Sequence, residues 1–419
     1  MTVIGLLFLL ILIGMPIGYA LMVTGTAAMA LADIDLVTMA VQSFYGTNSF
    51  VVLAVPLFIL MGEIMGATSI SERLIDLARA LVGWMRGGLS HVNVLTSMFI
   101  AEMSGSAVAD AAATSKIFVP QMERAGYPRA YGAAITAVSA TIGAIIPPSI
   151  IMVLYGATTN TSIRDLFIGG VVPGIMLGLI FMAVGYLYAL KEGYPVDGKF
   201  HVPTLWHAFK RALVPLMIPV IVLGGIIGGI FTPTEAAGIG VLTALVFGLA
   251  LSRELTWKGL YELLVSACRQ SAVVMMLIAG SAIIGQYLAN EQIPQRIAEY
   301  LVTFIDNPII GLLVINIFLL VLGMFLQAAA AIIVVVPMLL PMAMALGVDP
   351  VHFGVIVCLN LGIGQQTPPV ATVMLTVCST TGLKIEQTMV YAKWFILAMF
   401  IVLMIVTYLP ATALWYRWF

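Results

Sequence analysis

Charge is scarce in this chain: only 9% of its 419 residues are Asp, Glu, Lys or Arg, against about 25% in soluble domains. A chain so poor in charge cannot cover a water-facing surface, and it offers no basic face to a nucleic acid. Cysteine is nearly absent. Cys268, Cys358 and Cys378 sit singly inside apolar stretches, so neither a disulfide framework nor a thiolate metal site follows. The four histidines, His91, His201, His207 and His352, are scattered without metal-ligand spacing. Also missing are the ~10-residue alternations of a membrane barrel. The first apolar run, from Val3, lacks a basic leader and a small-residue cleavage site, so it reads as a retained helix and not a signal peptide.

What is present is hydrophobic: 62% of residues, with a mean hydropathy of +1.11. Repeated apolar runs are long enough to cross a hydrocarbon core of roughly 30 Å as helices. The fold class is therefore all-α and the chain is a multi-pass protein of the lipid bilayer.

One stretch organises the rest. Met103 to Thr114 is a run of small residues carrying one carboxylate, Asp110, and 221 residues further on Met324 begins a second small-residue run through Gln327 to Ala331. The same offset carries Pro120 onto Pro341, Gly126 onto Gly347, Gly143 onto Gly364, and Pro147-Pro148 onto Pro368-Pro369. With a slip of two residues, Asn93 falls on Asn316 and Gly88 on Gly311. The chain is two copies of one unit, residues 1–190 and 213–419, joined by a polar cytoplasmic linker at 191–212.

Thr2 to Leu31 is interrupted by Gly14-Met15-Pro16, leaving one kinked helix or two short ones; the alignment of Pro16 with Pro233 favours two. A span at about Phe50 to Met65 precedes Ser69 to Trp84, where Glu72, Arg73, Asp76 and Arg79 oppose Ile70, Leu74, Ile75 and Leu77. That pattern predicts an interfacial amphipathic helix. Residues 88–120 are read as a helical hairpin entering and leaving on one side, and 131–156 as a span broken at Gly143 and Pro147-Pro148. A proline pair removes two backbone donors and disfavours the α conformation before it. A further span runs from Leu166 to Leu190.

The second unit repeats this order: spans Leu213 to Ile230 and Ala236 to Leu251, one ending near Leu288, and an amphipathic segment with Arg296 and Glu299. Then come a hairpin at 309–341 and a broken span at 353–378 containing Gly362-Ile363-Gly364-Gln365-Gln366-Thr367-Pro368-Pro369. The last span runs from about Met389 to Leu409.

Basic residues concentrate on the side that carries Arg73, Arg86, Arg124, Lys191 and Arg253, while the other side has only Arg164, Arg296 and Arg417. The first side is expected to be cytoplasmic, so the two hairpins enter from opposite faces. Inverted repeats with paired broken helices are the architecture of secondary transporters, with binding near the midplane.

At such breaks, free carbonyl and hydroxyl oxygens are tolerated where they line a protein cavity or hold an ion, and Na⁺ suits such a shell. In the first unit Ser104, Gly105 and Ser106 are expected to face the break from Thr141 through Gly143 to Pro147 and Pro148. In the second, Gly323 and Gln327 are expected to face Gly362, Gly364, Gln365, Gln366, Thr367 and Pro368. Helix N-termini beside these tips would favour a carboxylate. Asp110, one turn after Ser106, costs about 2.5–3.5 kcal/mol at bilayer depth, and serves ion binding or caps the hairpin. Asn360 either bonds across helices or supports the cage, and Glu63 bonds a neighbouring helix or takes part in function.

Other motifs do not hold. Gly193 to Phe200 mimics a phosphate loop as far as Lys199, but Phe200 replaces the required hydroxyl and no strand precedes it. Ser104-Gly105-Ser106 lacks a nucleophile elbow and a nearby histidine. No acid, base or metal set converges, so an enzyme is not expected. An ion channel would place its filter on an axis between subunits, not within one chain.

The motifs Ser104-Gly105-Ser106-Ala107-Val108-Ala109-Asp110, Ile146-Pro147-Pro148-Ser149, Thr232-Pro233-Thr234-Glu235-Ala236-Ala237 and Asp349-Pro350-Val351-His352-Phe353-Gly354 resemble the large membrane subunit of tripartite ATP-independent periplasmic (TRAP) transporters. The resemblance covers essentially the whole chain and departs at Gln327, where an acidic residue is expected in many relatives. It implies an elevator-type, Na⁺-driven carrier of the bacterial inner membrane without other cofactors. Its substrate would be an organic acid of the sialic acid or C4-dicarboxylate class. Its partners would be a small four-helix membrane subunit and a periplasmic substrate-binding protein. In that picture hairpins and broken helices move against a scaffold of the remaining spans. A stand-alone carboxylate symporter of the same superfamily would share the repeat but need no partner.

Overall fold

A computed structural model of the chain describes residues 2–35, 37–104, 107–293 and 307–418. Among these residues every regular element is helical, and a single antiparallel bridge joins Arg86 to Val196. Seven helices are long and apolar enough to cross a membrane, or eight if Ala54–Gly66 and Ile70–Val82, bent by 71°, form one broken span. The second helix of that pair buries Ile70, Leu74, Ile75, Leu77 and Ala78, with Glu72 in its first turn and Arg79 in its last. Both charges suit the helix dipole.

The first apolar run is two helices, Thr2–Leu12 and Ile17–Leu31, parted at Gly14 with φ of +95°. A further helix, Val37–Thr47, buries none of its residues. Hydropathy alone did not reveal it, because Gln42, Ser43 and Thr47 dilute its apolar content.

The helices pack as two groups. One is built around the 34-residue helix Trp257–Asn290, against which Ile17–Leu31, Val37–Thr47 and Ala54–Gly66 lie. Close approach is possible because Gly25 sits under Ile283 and Gly280 under Leu21, the small-residue packing usual between membrane helices. Val202–Ile227 packs on Ile70–Val82, and Pro233–Val246 on Ala54–Gly66. The helix beginning at Val202 shortens the linker: its non-helical part ends at His201, short of the expected 212.

The other group holds the hairpins. The first is Gly88–Ser104 with Ala107–Arg124, and the second Pro308–Phe325 with Ala328–Ala345. Pro120 and Pro341, expected to end them, lie inside their helices. In each unit both arms pack on the pre-break half of their own broken helix, and the outgoing arm also reaches the post-break half of the other unit's. Ala107–Arg124 lies on Thr372–Thr381 and Ala328–Ala345 on Ile150–Thr159. The spans Ile163–Glu192 and Ile385–Tyr408 also pack within this group. That corrects the expectation that they belong to the scaffold. The segment with Arg296 and Glu299 lies outside the described residues.

The loop before the second broken helix is tied down electrostatically. Asp349 accepts from Val351 N at 2.8 Å and from Arg417 Nη1 at 2.7 Å. Burial alone would raise its pKa, but the Arg417 guanidinium and the Val351 N–H outweigh it and hold the carboxyl below its ordinary value. A depressed folded pKa adds stability above the unfolded value of about 3.9, lost as pH falls through the folded value. Arg417→Ala is expected to move the acid limb of a thermal-stability profile to higher pH. An unchanged limb would show that the contact contributes nothing.

Candidate functional site

The first broken helix runs Arg129–Ala140, tightens to a 3-10 turn over Thr141–Ala144, and resumes as Ile150–Thr159. Thr141, Gly143, Pro147 and Pro148 are buried. Ser149 Oγ donates to Ala144 O across the break at 2.9 Å. The second helix runs Pro350–Gly364 and resumes at Thr372. Val373 N donates to Gln365 O at 3.1 Å and Thr367 Oγ1 to Ile363 O at 2.9 Å. Both proline pairs, Pro147-Pro148 and Pro368-Pro369, carry a cis peptide, but the first pair is buried and the second exposed.

The two breaks meet. A Cβ added to Gly362 would lie 3.8 Å from Thr141 Cβ. Gln366, fully buried, donates through Nε2 to Ala137 O at 2.6 Å, joining the second break to the first broken helix. Gly323 of the second hairpin presses against Gly364, where a Cβ would fall 2.6 Å from the Gly323 Cα. Asn360 resolves as a cross-helix tie: its Nδ2 donates to Asn316 Oδ1 at 2.7 Å, and Asn316 Nδ2 donates to Thr407 Oγ1 at 3.0 Å. Asp110 is buried in the first turn of Ala107–Arg124. The side chain of Ser104, and Gly105 and Ser106 entirely, lie outside the described residues.

A cavity of about 220 Å³ lies where the two groups of helices meet. The hairpin group lines it with Ala107, Val108, Ile150, Ile151, Gln327, Ala328, Ala329 and Gln365, and the other group with Ile59, Gln270, Val273, Val274 and Leu277. Two helices begin at this wall, at Ile150 and Ala328, and the described part of the first hairpin's outgoing arm starts there at Ala107. Neither Ser149 nor Gln327, the residues before these two helices, caps its helix with a side-chain bond. Their first-turn N–H groups therefore carry the positive end of the helix dipole toward the cavity. No lining residue is charged. The polar side chains are amides: Gln327, Gln365 and Gln270, the last donating its Nε2 to Glu63. The arrangement suits a small anion held by neutral donors, with apolar walls for its carbon skeleton.

Of the residues singled out from sequence, Gln327 and Gln365 line this cavity, whereas Thr141, Gly143, Pro147, Pro148, Asn360 and Gln366 lie behind it as the packed joint between breaks. Gln270 was missed, whereas helix N-termini beside the tips were expected, and the helices that start at Ile150 and Ala328 line the cavity. Gln270 stands beside Arg269 at the edge of an apolar run in the 34-residue helix, and that polar pair was the available signal.

Comparison with known proteins accords with this geometry. The family model of the tripartite ATP-independent periplasmic transporter, DctM component, matches residues 4–412. The sialic acid TRAP transporter large permease protein SiaM of Vibrio cholerae is 38% identical over 407 residues, covering 97% of this chain and 94% of the relative. The C4-dicarboxylate large permease DctM of Pseudomonas aeruginosa is 39% identical over 377 residues, covering 90% and 88%. The isethionate permease DctMQ of Oleidesulfovibrio alaskensis is 39% identical over 98% of this chain but only 65% of its own length. Among solved structures, the Alcanivorax borkumensis YdaH transporter superposes with a TM-score of 0.64 over 91% of this chain and 88% of that one at 14% identity. That likeness shows a shared fold. The helices and the family together make this a multi-pass inner-membrane protein, and the chain belongs to the DctM family, the large permease component of tripartite ATP-independent periplasmic transporters.

Proposed function

We propose that this subunit carries a small organic acid into the cell in exchange for the energy of an inward Na⁺ gradient, taking substrate from a periplasmic binding protein and working with a small four-helix membrane subunit. The observation that carries the reading is the uncharged cavity onto which the helix N-termini at Ile150 and Ala328 open, with amides at Gln270, Gln327 and Gln365. Relatives named for sialic acid, C4-dicarboxylate and isethionate have in common a small organic anion. The cavity's wall is split between two helix groups, so sliding one past the other would carry its contents across the membrane, as an elevator does. Neutral oxygens at the joined breaks suit Na⁺, and Asp110 places a buried carboxyl in the first turn of Ala107–Arg124.

Uptake of a labelled organic acid into proteoliposomes tests this. It is expected only with an inward Na⁺ gradient and with both partners present. Uptake by this chain alone would instead identify a stand-alone symporter. Asp110→Asn is expected to lower Na⁺-dependent uptake by about tenfold with folded protein unchanged, the loss of roughly 1.4 kcal/mol of coupling. Equal loss of folded protein would make Asp110 a structural cap.

A further inference from the structure

The two units treat one buried position differently. In the second, Asn316 Oδ1 accepts the amide of Asn360, and the next turn of the same arm is closed by buried Leu319 and Leu320. In the first, the matching residues are Asn93, Ser139, Thr96 and Ser97. Asn93 donates its Nδ2 to Thr136 Oγ1 at 2.6 Å, which fixes its carbonyl oxygen as the free end of the amide. Thr96 and Ser97 follow Asn93 by three and four residues and Ser139 follows Thr136 by three, so all four face the seam between incoming arm and broken helix.

Each of the four is at most 5% exposed. Asn93 Oδ1, Thr96 Oγ1, Ser97 Oγ and Ser139 Oγ have no hydrogen-bond partner among the described residues. Four orphaned oxygens in one buried seam are costly unless a guest satisfies them. The matching seam shows what kind of guest: there the positive end of the Asn360 amide supplies it, and serine is too short to do so.

We propose that this seam is a binding site for one small monovalent cation, Na⁺, held by Asn93, Thr96, Ser97 and Ser139 behind the helix break. Its shell of neutral oxygens suits a single charge better than a divalent ion, whose affinity rises with the number of carboxylates around it. The inference rests on Na⁺ coupling as proposed above, and adds a site that is closed to the substrate cavity, since none of the four lines it.

The test is a Na⁺ titration, in K⁺ buffer, of the thermal midpoint of the purified full chain. Ser139→Asn would place an amide where the second unit has one. It is expected to match or exceed the unmodified midpoint without Na⁺ and to respond to Na⁺ with a Hill coefficient lower by about one. Ser97→Ala is expected to shift the half-saturating Na⁺ concentration upward by about tenfold. Unchanged Na⁺ responses in both variants, as an ordered water would give, overturn the site while leaving Na⁺ coupling intact. No Na⁺ response in the unmodified chain would overturn the coupling itself. Should Ser139→Asn fail to fold, Ser97→Ala decides alone.

Discussion

Gly364→Ala is expected to reduce uptake to background and to destabilise the purified protein by ~1–3 kcal/mol or more, the usual cost of forcing extra carbon into a packed core. The methyl group would lie 2.6 Å from both the Cα and the carbonyl carbon of Gly323, and 3.0 Å from its oxygen. Those are backbone atoms, so no side chain can turn aside to admit it. Relief requires the arm Pro308–Phe325 to move off Pro350–Gly364, and the tie from Asn360 to Asn316 opposes that. Gly285→Ala is the control, because no atom lies within 4 Å of a Cβ there and alanine is the better helix former. Thermal unfolding and uptake should separate the two variants. Equal tolerance would mean that the hairpin is not docked on the broken helix as described.

Val108→Trp is expected to stop transport while leaving the fold in place. Val108 is half-buried, lies one residue into the outgoing arm of the first hairpin and lines the cavity. An indole there occupies space that the ligand needs and removes no core contact from the fully buried set around it. Uptake is expected to fall more than a hundredfold, with a thermal midpoint within about 2 °C of the unmodified protein, since partly exposed sites without special contacts usually shift stability little. Retained uptake would place the substrate elsewhere. Gln270→Leu, on the opposite wall and freeing Glu63 of its amide donor, probes the same cavity from the other helix group.

Legibility varied with the range of the interaction that determines each feature. The repeat and both breaks could be read from glycine and proline positions alone, since Pro147-Pro148 and Pro368-Pro369 interrupt a helix wherever it is packed. The partnership of Asn316 with Asn360 was open until the fold placed them 2.7 Å apart. The span expected from Leu213 starts earlier, because Leu205, Trp206 and Phe209 alternate with His207, Lys210 and Arg211, which lowers mean hydropathy without preventing a helix at Val202–Ile227. Pro120 was taken as a hairpin end, yet its helix continues to Arg124. A lost backbone bond is survivable where neighbouring helices supply packing.

By itself the sequence determined the solvent, the helical class, the duplication and the places where helices must break. Each of those follows from composition or from residues adjacent along the chain. Only the tertiary structure decided that the outgoing arms also reach the other unit, that Ile163–Glu192 and Ile385–Tyr408 join the hairpins, and that the helix starts at Ile150 and Ala328 share one cavity with Gln270. Those facts depend on contacts between segments distant along the chain, and inside a membrane the match of small surfaces sets such contacts. The hydrophobicity of each helix shows that it is buried in lipid or protein but cannot rank one neighbour above another.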